Sequence, residues 1–249
     1  MSGESLSEPI RIAMWSGPRN ISTAMMRAWE NRGDTAVTDE PLYAHYLLAT
    51  GAPHAMREAV IASQENDWRR VAQSLCRTVP DGKAVWYQKH MAQHVTPDME
   101  LDWLGGLTNV FLIRDPGEVV ASFARCREEP ALWELGFEMQ ARLFDTVAGK
   151  AGEAPPVLDA REVLEDPEKM LRNLCQAVGV SFSERMLHWP PGSRASDGVW
   201  AEHWYDAVRA STGFAPYRER NVTLPDELRR LADACWPHYE QLYRHRCVA

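Results

Sequence analysis

An arginine placed just past the end of an apolar run can hold an anion at a sheet edge, and this chain has two of them. In the first case Ile12-Ala13-Met14-Trp15-Ser16 passes through Gly17-Pro18-Arg19-Asn20-Ile21 into Ser22-Thr23-Ala24. A strand, a Gly-Pro turn and a helix start leave the first N–H groups of the helix unpaired and pointing outward, where the macrodipole favours negative charge. The Ser22 and Thr23 hydroxyls add donors. Arg19 adds a full charge and a planar fork of N–H groups suited to phosphate or sulfate oxygens. The same residues also describe a plain helix start beside a solvated arginine. A Walker-type loop, Gly-x-x-x-x-Gly-Lys-Ser/Thr, needs a glycine-lysine pair that this turn lacks, which weakens an ATP-using reading.

The second arginine, Arg114, follows the apolar run 109–113 and leads into Asp115-Pro116-Gly117-Glu118. Asp115 suits an N-cap and Pro116 the first helical turn, which places Ser122 about two turns into the helix that follows. Arg114 and Ser122 then face one crevice at the carboxyl edge of the sheet, where open α/β folds bind ligands. Asp39-Glu40-Pro41 ends another apolar run, so Glu40 stands at that edge as a candidate general base; a helix cap is the competing role.

The elements that must position these residues are legible as apolar runs at 10–16, 35–38, 84–88 and 109–113, with a weaker fifth at 155–158. Amphipathic patterns lie between them at 21–31, 116–127, 168–178 and 224–243. Near-continuous apolar strands alternating with helices predict a three-layer α/β fold, a doubly wound and mainly parallel sheet of about five strands. A single domain over 1–249 is expected, with a flexible tail at 1–9. Residues 190–223 carry Pro, Gly and Ser punctuation and little periodicity, and are expected to form a long loop or lid. Within it, Trp200, Trp204 and Tyr205 either wall a pocket or belong to the core.

A formal net charge of −8 opposes binding to nucleic acid or to an anionic membrane surface, so any bound anion needs a local pocket. No apolar run reaches the roughly 18 residues of a membrane span, and the first residues carry no apolar signal core, so a cytoplasmic protein is expected. The five cysteines are widely separated, without Cys-x-x-Cys or zinc-type spacing, and predict reduced thiols and no metal site.

Taken together these motifs resemble the PAPS-dependent sulfotransferases, a P-loop-related α/β family whose donor is 3'-phosphoadenosine 5'-phosphosulfate (PAPS). Pro18-Arg19-Asn20-Ile21-Ser22-Thr23 is similar to the family's 5'-phosphosulfate loop. Arg114-Asp115-Pro116, with Ser122 eight residues beyond the arginine, is similar to its 3'-phosphate motif, and the segment 159–168 is similar to the stretch where its fifth strand meets Asp-Pro. The resemblance implies donor binding by Gly17, Pro18, Arg19, Asn20, Ile21, Ser22, Thr23, Arg114 and Ser122, with release of adenosine 3',5'-bisphosphate (PAP). It implies in-line transfer to a hydroxyl or amine of a small molecule, with no metal required, by a monomer or homodimer. Arg19 is then a catalytic group that balances charge on the leaving phosphate.

Some family branches take the acceptor proton with a glutamate after the second strand, here Glu40. Others use a histidine in a Lys-x-His segment of the third strand; here Lys89 and His90 are adjacent, so His90 is the second candidate base and Lys89 a contact to the sulfuryl group. His94 is more distant and is treated as background. Ile21 stands where the family loop usually has glycine, and the late basic segment that closes over the 3'-phosphate has only Arg194, Arg218 and Arg220 as candidates. A P-loop kinase or nucleotide hydrolase, or a silent nucleotide-binding module, are the alternatives.

Overall fold

The computed structural model describes residues 8–127, 129–219 and 222–247. Five strands, β1 (Ile10–Ser16), β2 (Thr35–Asp39), β3 (Val85–Met91), β4 (Thr108–Ile113) and β5 (Val157–Asp159), form one sheet in the order β2-β3-β1-β4-β5. Every pairing is parallel. The register aligns their carboxyl ends: Ser16 lies opposite Met91 on one side and Leu112 on the other, Asp39 opposite Lys89, and Ile113 opposite Asp159. This is an α/β, P-loop NTPase-like sheet, with the turn after β1 at its centre.

The described helices are α1 (Ser22–Glu30), α2 (Tyr43–Thr50), α3 (Arg57–Ser63), α4 (Trp68–Leu75), α5 (Pro116–Phe123), α6 (Phe137–Ala151), α7 (Ala160–Glu165), α8 (Pro167–Ala177), α9 (Ala201–Trp204), α10 (Asp206–Arg209) and α11 (Asp226–Tyr243), with short 3-10 turns between some of them. The β-strand alternation sorts side chains onto two faces. Ile12, Met14 and Tyr87 pack with Met25, Met26 and Trp29 of α1 and with α2 and α8. Ala13, Trp15, Trp86 and Phe111 pack on the other side with α4, α5, α6 and α11.

Two expectations shift in register. The apolar pattern ends β3 at Gln88, yet the strand continues through Lys89 and His90 to Met91, all of them buried. Helix α5 starts where expected, with the Asp115 carboxylate accepting the Glu118 N–H at 3.0 Å, but stops at Phe123 rather than 127. Helices α3, α4, α6 and α7 lie outside the amphipathic patterns read from the sequence, and α2 is the helix that the capping alternative for Glu40 implies.

The segment after α8 is not structureless. It carries α9 and α10, and an antiparallel bridge joins His188 to Gly213. It is pinned to α1 by the Arg27–Asp197 ion pair, 2.5 Å long with side chains 1% and 5% exposed. Removing Asp197 leaves the buried guanidinium with only Glu30, 3.5 Å away, as counter-charge. Asp197→Ala is therefore expected to cost about 3–5 kcal/mol, read as a lower denaturation midpoint with an unchanged slope in urea.

Candidate functional site

A cavity of about 560 Å³ opens at the carboxyl edge of the sheet, within the size range of ligand pockets. The turn after β1, the first residues of α1, the start and end of α5, the ends of β2 and β3, and the segment carrying α9 and α10 all contribute to its wall.

The turn is shaped by two backbone constraints. A Cβ on Gly17 would stand 2.8 Å from the Leu135 carbonyl oxygen, so the close approach of that backbone admits only glycine. Arg19 takes the left-handed conformation, with φ of +55°. Ile21, the position expected to need positive φ, has φ of −87° and φ-permissive glycine is not needed there. Asn20 locks the turn: its Nδ2 donates to the Leu112 carbonyl at 3.0 Å and its Oδ1 accepts the Ile21 N–H at 2.9 Å. Helix α1 has no side-chain cap, so its first donors are not used up by the protein itself. Pro18, Arg19, Asn20, Ile21, Ser22 and Thr23 all line the cavity, while Gly17, expected to contact the donor, does not and serves the turn through its close approach to Leu135.

The second motif meets the first. Arg114 donates from Nη1 to the Arg19 carbonyl at 2.7 Å and pairs with Glu118 at 2.7 Å, which clamps the turn to α5. Arg19 Nε donates to Ser122 Oγ at 3.0 Å, and Arg125 Nη2 reaches the same oxygen at 3.3 Å. Neither Arg19 nor Arg125 pairs with a carboxylate among the described residues. Two uncompensated guanidinium groups thus converge beside an uncapped helix N-terminus, an arrangement suited to a polyanion.

At the ends of β2 and β3 the chemistry changes. Lys89 is fully buried and donates to Asp39 Oδ1 at 2.9 Å, Glu40 Oε1 at 2.5 Å and Tyr205 Oη at 2.6 Å. Tyr205 donates to Asp39 Oδ2 at 2.7 Å and accepts from Trp200 Nε1 at 3.2 Å. Burial opposes the lysine charge, but Asp39 and Glu40 outweigh it and hold the ammonium well above the ordinary lysine value. Burial likewise raises the Glu40 carboxyl above the ordinary 4.5, against the pull of Lys89. Glu40 has φ of +42°, and its N–H donates to the Lys89 carbonyl at 2.9 Å. A left-handed non-glycine residue costs of order 1–3 kcal/mol and persists where the surroundings over-determine it.

His90 does not share this site. Alternation along β3 sends Lys89 to one face and His90 to the other, where its ring stacks on Trp15 at 4.2 Å and no part of it lines the cavity. Burial lowers its pKa to about 3. His94 lies instead in the cavity wall, stacked between Tyr43 and Tyr46, with Nδ1 3.9 Å from Glu40 Oε2. Tyr43 and Tyr46, three residues apart on one helix face, were a readable signal for this wall. Arg125, one turn beyond Ser122, was another.

Of the late arginines, Arg194 lies against Glu30 at the other end of α1, 3.6 Å away, and Arg218 does not line the cavity. Arg220 lies outside the described residues. Trp200 is core, whereas Trp204 and Tyr205 line the cavity.

A parallel sheet whose central strand runs into an uncapped helix start beside unpaired guanidinium groups is an α/β architecture suited to holding a phosphate or sulfate group. Residues 10–245 match the family described as Sulfotransferase domain, and the chain belongs to that family. Two curated relatives from Arabidopsis thaliana, branched-chain-amino-acid aminotransferase-like proteins 1 and 2, are 33% and 30% identical over 96% and 94% of this chain. The chain spans less than half of their length, 43% and 41%. Among solved structures, the sulfotransferase from Alicyclobacillus acidocaldarius superposes with a TM-score of 0.53 at 12% identity, covering 96% of this chain and 97% of that one. The sulfotransferase domain of the Synechococcus PCC 7002 olefin synthase gives 0.51 at 17% identity, covering 94% and 97%. These two share the fold.

Lys89→Met leaves Asp39 and Glu40 buried side by side without a counter-charge, an expected loss of about 3–5 kcal/mol near neutral pH. The sign follows from linkage: Glu40, whose folded pKa burial raises, favours folding in acid and loses that contribution as pH rises through the raised value. Chemical denaturation should therefore find the deficit against wild type largest near neutral pH and smaller toward pH 4.

Proposed function

We propose that this protein transfers a sulfuryl group from PAPS to a hydroxyl or amine of a small-molecule acceptor. The observation that carries the reading is the convergence of Arg19 and Arg125 on Ser122, on the wall of the same cavity that contains Glu40. Family membership favours PAPS as donor, and the residues fit it: uncompensated guanidinium groups, an uncapped helix N-terminus and a close backbone approach at Gly17 suit a nucleotide with phosphates at two places.

When bound, PAPS supplies an activated sulfuryl group and a phosphate leaving group. Arg19 and the first N–H groups of α1 balance negative charge at the turn, where it grows during transfer. Arg114 and Ser122 hold the 3'-phosphate. Glu40 accepts the acceptor proton, and Lys89 fixes its carboxylate in direction and favours the ionised form against the burial that raises its pKa. The aminotransferase-like name of the Arabidopsis relatives belongs to much longer proteins. In this chain the lysine lining the cavity is held as an ammonium by two carboxylates, whereas a Schiff base needs a neutral amine.

PAP is expected to raise the melting temperature far more than ATP, which lacks a 3'-phosphate for Arg114 and Ser122. At about 100 times its dissociation constant a native-state ligand contributes roughly 2.7 kcal/mol. Equal shifts with the two nucleotides in a thermal-shift assay would count against the donor assignment.

Glu40→Gln should reduce turnover about 10²- to 10⁴-fold while PAP binding persists. Because burial raises Glu40 above 4.5, kcat/KM should climb as pH rises through that raised value, and the glutamine enzyme should lose this limb. A dead His90→Asn enzyme that still binds PAP, beside a Glu40→Gln enzyme with normal turnover, would move the proton to His90.

A further inference from the structure

Next to Glu40 the cavity wall contains buried polar atoms that the mechanism above does not use. Tyr46 Oη, His94 Nδ1, Gln93 Oε1 and Arg127 Nε have no hydrogen-bond partner among the described residues. All four residues line the cavity, and the tyrosine and histidine are almost fully buried. Unpaired buried polar groups are uncommon, and several gathered on one ligand-facing wall are accounted for by a ligand that pairs with them.

Their chemistry narrows what that ligand is. The Tyr46 hydroxyl and the Gln93 amide each offer a donor and an acceptor, and Arg127 Nε–H offers a donor. The charge of Arg127 is met by Glu134 at 3.0 Å. Burial, the main influence on both His54 and His94, keeps these two rings neutral. Such a wall has hydrogen bonds to give and no net charge to match an ion. Around it the Tyr43, His94 and Tyr46 rings form a stack, at 4.5 Å and 4.7 Å between centroids, that presents apolar surface.

We infer that this wall is an acceptor subsite for an uncharged polar group, a hydroxyl or carboxamide that the acceptor carries in addition to the group that is sulfated. The acceptor is then a neutral polyfunctional alcohol or phenol, rather than a monofunctional one or an acid. The inference rests on the sulfotransferase reading and adds the acceptor's chemical class to it. An analogue lacking the second group leaves the wall unpaired, and an anionic analogue brings a charge toward Glu40 and Asp39 while the free guanidinium groups, Arg19 and Arg125, are on Ser122 beside the donor's phosphates.

The test uses the intact chain saturated with PAP and measures binding by calorimetry for two matched sets. One set is 4-hydroxybenzyl alcohol, 4-methylphenol and 4-hydroxybenzoate; the other is cyclohexane-1,4-diol, 4-methylcyclohexanol and 4-hydroxycyclohexanecarboxylate. In at least one set the neutral bifunctional member should bind about three- to tenfold more tightly than its methyl and carboxylate analogues, the range one uncharged hydrogen bond gives. Tyr46→Phe keeps the ring in its stack and should remove that preference while leaving PAP affinity unchanged. Tighter binding of the methyl or carboxylate members, no binding by any of the six to a PAP-loaded protein, or a preference that survives Tyr46→Phe would overturn the subsite. Failure to bind PAP in the first place would instead strike the donor assignment.

Discussion

A lysine ammonium sealed inside a parallel sheet is the constraint around which this site is arranged. Burying an ion costs several kcal/mol even after relaxation, so Lys89 is tolerable only with its neutralising partners in place. Those three partners come from two places in the chain. The end of β2 delivers Asp39 and Glu40, and the segment that crosses the site delivers Tyr205, more than a hundred residues further on. Glu40 reaches the ammonium only by adopting φ of +42° while its N–H bonds the Lys89 carbonyl. Tyr205 is itself held by Trp200, which packs edge-on against Tyr43 at 5.2 Å. The carboxylate proposed to take a proton is thereby aimed and enclosed by one set of contacts, and it is the burial that raises its pKa, against the pull of Lys89.

The end proposed to hold the donor's phosphates is tied to that centre through the sheet. Because β1 lies between β3 and β4, the turn after Ser16 opens beside Met91 on one side and Leu112 on the other. Gln140 of α6 donates to the Trp15 and Leu112 carbonyls, both at 2.9 Å, and so fixes the spacing of the two strands just below the turn. Arg114 then ties the Arg19 carbonyl to α5. A guanidinium fork on one side and a carboxylate on the other face a common cavity, each held by its own hydrogen bonds, which is the kind of preorganisation that charge transfer between fixed groups requires.

The strands and the helices that flank the two arginine motifs were readable because local signals agree there: β-rich apolar runs, a Gly-Pro turn, an Asp-Pro cap. The end of β3 was not, since Gln88, Lys89 and His90 are polar and only tertiary partners make them strand interior. Helix α6 hid for a related reason, with Gln140 interrupting its buried face to serve two strand carbonyls. The place of positive φ was misjudged because steric preference points to glycine or a missing glycine, whereas the hydrogen bonds of Arg114 and Asn20 put it at Arg19. His94 was passed over because nothing in its neighbourhood along the chain announces that α2 brings two tyrosines to sandwich it. Contacts made across the chain, rather than along it, are what pattern reading leaves out.

On the proposed function, the turn after β1 and the start of α5 together hold a nucleotide phosphorylated at both its 3' and 5' positions. In a crystal structure of the protein with PAP, the 5'-phosphate is expected within hydrogen-bond distance of Arg19 and the first N–H groups of α1, and the 3'-phosphate on Arg114 and Ser122, with the Arg19–Ser122 bond given up. A nucleotide found elsewhere, or a PAP molecule whose 3'-phosphate points to solvent away from Arg114 and Ser122, would contradict it.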